Sequence, residues 1–122
     1  MTQPLALLLY GRLLPGSQVA NRLQDLGWRV QTLHEAEALT RIAEEHKPLL
    51  VVADLVTSRP SVSDAIKHLR QTKSTEHIPV IAFAESELLH KEAVDAGATL
   101  AVGDAAILQH LNQFVDQALT EF

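Results

Sequence analysis

Three stretches of the chain, LALLLY (5–10), LLVVA (49–53) and PVIAF (79–83), are almost unbroken apolar runs without alternation. A strand with one solvated face alternates, because successive side chains point to opposite faces. A strand buried on both faces does not. The runs are too short for ordinary helices, so they read as strands of a parallel sheet covered on both sides. Parallel neighbours must be joined by long crossovers, usually helical. Two weaker runs, Trp28–Leu33 and Thr99–Val102, complete a set of five candidate strands.

The intervening segments have helical periodicity. Val19, Leu23 and Leu26 recur at i, i+4 and i+7, as do Val62, Ile66 and Leu69, while Ala36, Leu39 and Ala43 give a similar stripe. The last segment carries Ile107, Leu111, Phe114 and Ala118 on one face, with Leu108, Val115 and Leu119 beside it. So broad a stripe fits a helix that is deeply packed or that offers a partner surface. Gly27 and Gly97 stand where helix ends need a residue tolerant of positive φ. Thr32 with Glu35, and Ser61 with Asp64, read as capping pairs, and Asp104 as the N-cap of the last helix. Gly16 or Ser17 would stand near the N-cap of the first. Five βα units follow, with right-handed crossovers and helices on both faces of the sheet, in one domain spanning 1–122.

Composition removes several function classes. The net charge is −5 and no lysine or arginine cluster exists, so no nucleic-acid partner is expected. The chain has no cysteine for disulfides or thiolate metal sites. No apolar stretch approaches the roughly 20 residues of a membrane span. The leading MTQPLALLLYGRLLPG lacks a basic residue before its apolar run, unlike a secretory signal, so the expectation is a cytoplasmic protein without membrane contact.

Sheets of this kind bind at the carboxyl ends of their strands. Function is therefore sought at Tyr10–Arg12, Asp54–Ser58, Ala84–Glu85 and Gly103–Asp104. The stretch Gly11 to Ser17 approaches a phosphate-binding loop, but it lacks the lysine, and Pro15 removes a backbone N–H. The six histidines (34, 46, 68, 77, 90, 110) contain no i, i+4 pair and read as scattered surface residues. No nucleophile elbow or dinucleotide fingerprint is present. Glu85-Ser86-Glu87 reads as a helix opening, where the dipole favours acids. Asp54 remains: a carboxylate at the mouth of a buried run must do chemistry or be paired.

The stretches LQDLGWRVQTL, KPLLVVADL, HIPVIAFAE and AVDAGATLAV resemble blocks of the receiver domains of two-component response regulators. The resemblance covers nearly the whole chain. It implies an α/β fold, a (βα)5 doubly wound parallel sheet of order 2-1-3-4-5 in a flavodoxin/CheY-like three-layer sandwich. It also implies a phospho-acceptor aspartate at the end of the third strand, which is Asp54. Receivers add Mg²⁺ held by an acidic pair after strand one, a hydroxyl residue after strand four, an aromatic in strand five and a lysine beyond it.

Here the acidic pair falls on Tyr10 and Gly11, followed by Arg12; the hydroxyl residue on Ala84; the aromatic on Ala101; and the lysine on Asp104. The usual Pro-Gly turn after strand three is replaced by Ser58-Arg59-Pro60. Loss of one charge-stabilising donor lowers a rate by about 10²–10³, and here several are lost together. The reading is a degenerate receiver, or pseudo-receiver. It is not an enzyme, binds no cofactor including Mg²⁺, and holds Asp54 as a relic paired with Arg12 or backbone N–H groups. It would act as a phosphorylation-independent interaction module for another signalling protein or domain. The contact would run through the last strand and its flanking helices, Glu87–Ala96 and Ala105–Phe122, with a homodimer left open. The rival readings are a phosphorelay receiver accepting phosphate at Asp54, and a small-molecule or nucleotide binder using Gly11 and Gly16.

Overall fold

The computed structural model describes residues 3–56 and 61–120. Along it run β1 (Leu5–Leu9), α1 (Leu13–Asp25), β2 (Arg29–Leu33), a 3-10 turn (Ala36–Ala38) leading into α2 (Leu39–His46), and β3 (Leu50–Asp54). Then follow α3 (Val62–Gln71), β4 (Val80–Phe83), α4 (Glu87–Ala96), β5 (Leu100–Val102) and α5 (Asp104–Thr120). The five strands are parallel throughout and ordered β2-β1-β3-β4-β5.

The register explains the missing alternation. Leu7, Leu9, Val51, Ala53, Val80 and Ala82 face one side, under α2, α3 and α4. Ala6, Leu8, Leu50, Val52, Ile81 and Phe83 face the other, under α1 and α5. All twelve have no exposed surface, so both faces of every central strand are core. Each large side chain so buried contributes about 1.5–3 kcal/mol. The helices return matching stripes: Val62, Ile66 and Leu69 from α3 on the first face, and Val19 and Leu23 from α1 on the second.

Several local expectations need correction. Leu26 is 41% exposed, because α1 ends one residue earlier and Leu26 becomes its C-cap, off the apolar stripe. Thr32 does not cap with Glu35: Thr32 lies within β2, and Glu35 makes no side-chain cap bond. By contrast, Ser61 Oγ accepts from the Asp64 N–H at 3.4 Å. Helix α1 starts at Leu13, ahead of the Gly16 or Ser17 start, with an extended Leu14 before its regular turns. Asp104 is the first residue of α5, not its cap, and its carboxylate is drawn to Arg12 instead. Gly27 and Gly97 adopt φ of 92° and 115° after α1 and α4.

The breadth of the α5 stripe is packing. Ile107, Leu111, Val115 and Ala118 are buried, and Leu108, Phe114 and Leu119 are half-buried against the same cluster. Ser58-Arg59-Pro60 and Phe122 lie outside the described residues. Among the described residues, no helix is long and apolar enough to cross a membrane.

Candidate functional site

The strand order reverses between β1 and β3, since the chain goes from β1 to β2 on one side and returns to β3 on the other. In open parallel sheets such a reversal is where a crevice forms at the strands' carboxyl ends. Asp54 closes β3 on one side of it, and the loop after β1 delivers Arg12 from the other.

Asp54 is completely buried, yet neither of its oxygens lacks a partner. Oδ1 accepts from Arg12 Nη2 at 2.8 Å and from the Val56 N–H at 3.0 Å. Oδ2 accepts from Arg12 Nε at 3.1 Å and from the Arg12 backbone N–H at 3.3 Å. The planar guanidinium fork matches a carboxylate in this two-point way, and the charge-assisted bonds are about twice as strong as neutral ones. Four hydrogen bonds thus offset the desolvation of a buried carboxylate.

Arg12 also reaches the far side of the crevice. Its Nη1 donates to Asp104 Oδ2 at 2.9 Å and its Nη2 to Asp104 Oδ1 at 3.2 Å. One guanidinium therefore ties together the β1–α1 loop, the end of β3 and the start of α5. The hydrogen bonds that Arg12 donates to Asp54, and then those to Asp104, raise its pKa above the ordinary value against the opposing effect of burial. Arg12 is a fixed cation between two carboxylates.

The remaining singled-out positions divide. Arg12, Asp54 and Asp104 meet directly. Gly11 is exposed, and Tyr10 turns aside to lie edge-on to His34, with ring centroids 4.6 Å apart. Ala84 is buried at the end of β4, where its carbonyl accepts from His90 Nε2. Ala101 is half-buried in β5 beside the core. Sequence reasoning missed Glu85 as a participant: its Oε1 accepts from the Asp104 N–H at 2.9 Å, joining the loops after β4 and β5. Its position in a helix-opening acidic run was the visible signal, but the partner lies 19 residues away. His34 and His90 were also missed, since nothing in isolated histidines distinguishes ring contacts or carbonyl bonds from surface exposure. Among the described residues, no group of three or more histidine, cysteine or acidic side chains is placed to hold a metal ion.

This arrangement can be set against known proteins. No family model matches the sequence, and no curated protein is detectably similar to it. Solved structures match closely in three dimensions. The receiver domain of the sensor histidine kinase PA1611 from Pseudomonas aeruginosa superposes with a TM-score of 0.87 at 16% identity, over 97% of this chain and 98% of that one. The chain has the receiver-domain fold. The receiver domain of NtrX from Brucella abortus agrees at a TM-score of 0.83 and 18% identity, covering 96% of this chain and 99% of that one. The chemotaxis protein CheY4 of Vibrio cholerae gives 0.84 at 17% identity, covering 97% of this chain and 100% of that one. The PA1611 receiver was solved with magnesium coordinated in its active-site cleft.

Relative to the receiver pattern, the present site exchanges charges. The cation stands after β1 rather than after β5, and Asp104 takes the β5 side.

Proposed function

We propose that this chain is a pseudo-receiver, serving signal transduction as a protein-interaction module that does not transfer phosphate. The observation that carries this reading is the closure of Asp54: it has no exposed surface, and both oxygens accept two hydrogen bonds each. A carboxylate nucleophile needs an accessible oxygen and a route for an in-line phosphoryl group. Here the guanidinium fork covers that approach.

The residues do not fit Mg²⁺. A divalent ion needs carboxylates with free oxygens, and would have to displace a guanidinium that Asp54 and Asp104 already hold. Tyr10 and Gly11 contribute no acid. The nucleotide-binding reading meets a separate obstacle, since Gly16 is buried beneath the Tyr10 ring and offers no open cradle. The proposed module catalyses no reaction, uses no cofactor and, with a net charge of −5, takes no nucleic-acid partner.

The partner surface we assign is the β5 side of the molecule, as a contact for another signalling protein or for a second copy. Leu88 and Val94 of α4 are 68% and 52% exposed there, whereas the large apolar side chains of α5 are buried or half-buried against the core.

Acetyl phosphate with Mg²⁺, read by intact mass, tests the central point. The expected result is an unmodified chain. A Mg²⁺-dependent adduct of one phosphoryl group, abolished by Asp54→Asn, would sink the proposal and favour the phosphorelay reading.

A further inference from the structure

Arg12 has a long side chain, and holding it in one orientation opposes up to about 2 kcal/mol of rotamer entropy. The structure shows what restrains it. Tyr10 is fixed from both backbone sides: its N–H donates to Leu33 O at 3.1 Å, and its carbonyl accepts from His34 Nδ1 at 3.0 Å. The Tyr10 ring stands edge-on to His34 and lies directly over Gly16. A Cβ on Gly16 would meet that ring, 2.6 Å from Cγ and 2.9 Å from Cε2, so only glycine fits beneath it as it stands. Downstream, the Gly16 N–H donates to Arg12 O at 3.3 Å. Arg12 is thus gripped on both sides while its own N–H points to Asp54.

We infer that Tyr10, His34 and Gly16 form a buttress that aims Arg12 at Asp54, making Tyr10 a positioning residue for the ion pair. The inference rests on the closed-site reading and deepens it: the first loop is rebuilt as a matched set. Gly16 is then glycine because of the ring above it, not because of a phosphate. The ring does the positioning, since the Tyr10 hydroxyl has no hydrogen bond among the described residues.

The test reads the Arg12 Nε–H directly, as a ¹⁵N resonance identified by its loss in Arg12→Lys. In the wild type this proton is expected to exchange slowly with solvent. Tyr10→Phe keeps the ring and should leave the exchange rate unchanged. Tyr10→Ala and Gly16→Ala should each speed it about tenfold or more while the amide spectrum stays folded. The double variant should exchange no faster than the worse single one, because both act on one contact. Unchanged protection in Tyr10→Ala, or lost protection in Tyr10→Phe, overturns the inference. If Gly16→Ala does not fold, the two Tyr10 variants decide. The closed-site reading fails on a different signal, a phosphoryl adduct at Asp54 by mass, which an intact buttress would not hide.

Discussion

Two arginines sit at opposite ends of the sheet and solve opposite problems. Arg12, at the carboxyl ends of the strands, binds two carboxylates, and its pKa is raised. Arg70, near the other end, binds neutral acceptors only. Its Nε donates to Gly97 O at 2.7 Å, its Nη1 to Glu76 O and Ile78 O at 2.6 Å each, and its Nη2 to Thr99 Oγ1 at 3.1 Å. Among the described residues it has no acidic partner, and burial lowers its pKa. Arg70 staples the end of α3 to the turns around β4 and β5, as a scaffold requires. Arg12 instead neutralises one fully buried acid, Asp54, and a second at the start of α5, Asp104. Under the proposed pseudo-receiver reading, the buried acid and its matched cation are a site changed in use, whereas Arg70 holds the fold shut.

The sharpest way to break this comparison is Arg12→Ala. It leaves Asp54 buried with its two backbone donors alone, and should destabilise the chain by about 3 kcal/mol or more. For a domain this size that is a fall of roughly 10 °C in Tm by calorimetry. Adding Asp54→Ala to Arg12→Ala should recover part of that loss, because the orphaned charge goes with it. A double variant less stable than Arg12→Ala would mean that Asp54 matters apart from its pair.

Arg70→Ala should cost about 2 kcal/mol in denaturant titration, through carbonyls left without donors. Arg70→Lys should recover less than half, since one ammonium cannot span the fork's acceptors. The bonds between Arg12 and Asp54 should be untouched by either.

A smaller contrast tests the Arg70 end alone. Gly97 has φ of 115°, and a Cβ there would stand 2.6 Å from Arg70 Cγ; Gly27 has φ of 92° with nothing within 4 Å. Gly97→Ala should therefore cost about 2 kcal/mol against about 1 kcal/mol for Gly27→Ala, by the same titration.

The smallest expected effect concerns pH. A raised pKa means that the Arg12 contribution is fully present below the ordinary arginine range and is lost only above it. The Arg12→Ala loss should be the same at about pH 6.5 and about pH 9. A loss that shrinks toward the higher value would show that another titrating group controls the pair.

The sheet was legible because LALLLY, LLVVA and PVIAF admit few alternatives, and burial on both faces leaves a pattern no other strand has. Capping was less legible. Thr32 and Glu35 have suitable spacing, but β2 extends through Thr32, and tertiary pairing with β1 overrides the local signal. The site was legible as positions rather than as a network. Residues 12, 54 and 104 are far apart in sequence, and only the parallel order brings their strand ends together. The grip of Tyr10 on Gly16 depends on side-chain shape in three dimensions, which no spacing rule encodes.

The most direct test of the central claim is a titration of the ¹⁵N-labelled wild type with Mg²⁺, followed by beryllofluoride, read by amide chemical shifts. If the guanidinium already occupies the two carboxylates, the amides of Arg12, Val56 and Asp104 should not shift with either addition. Saturable shifts at those three residues, lost in Asp54→Asn, would contradict the account.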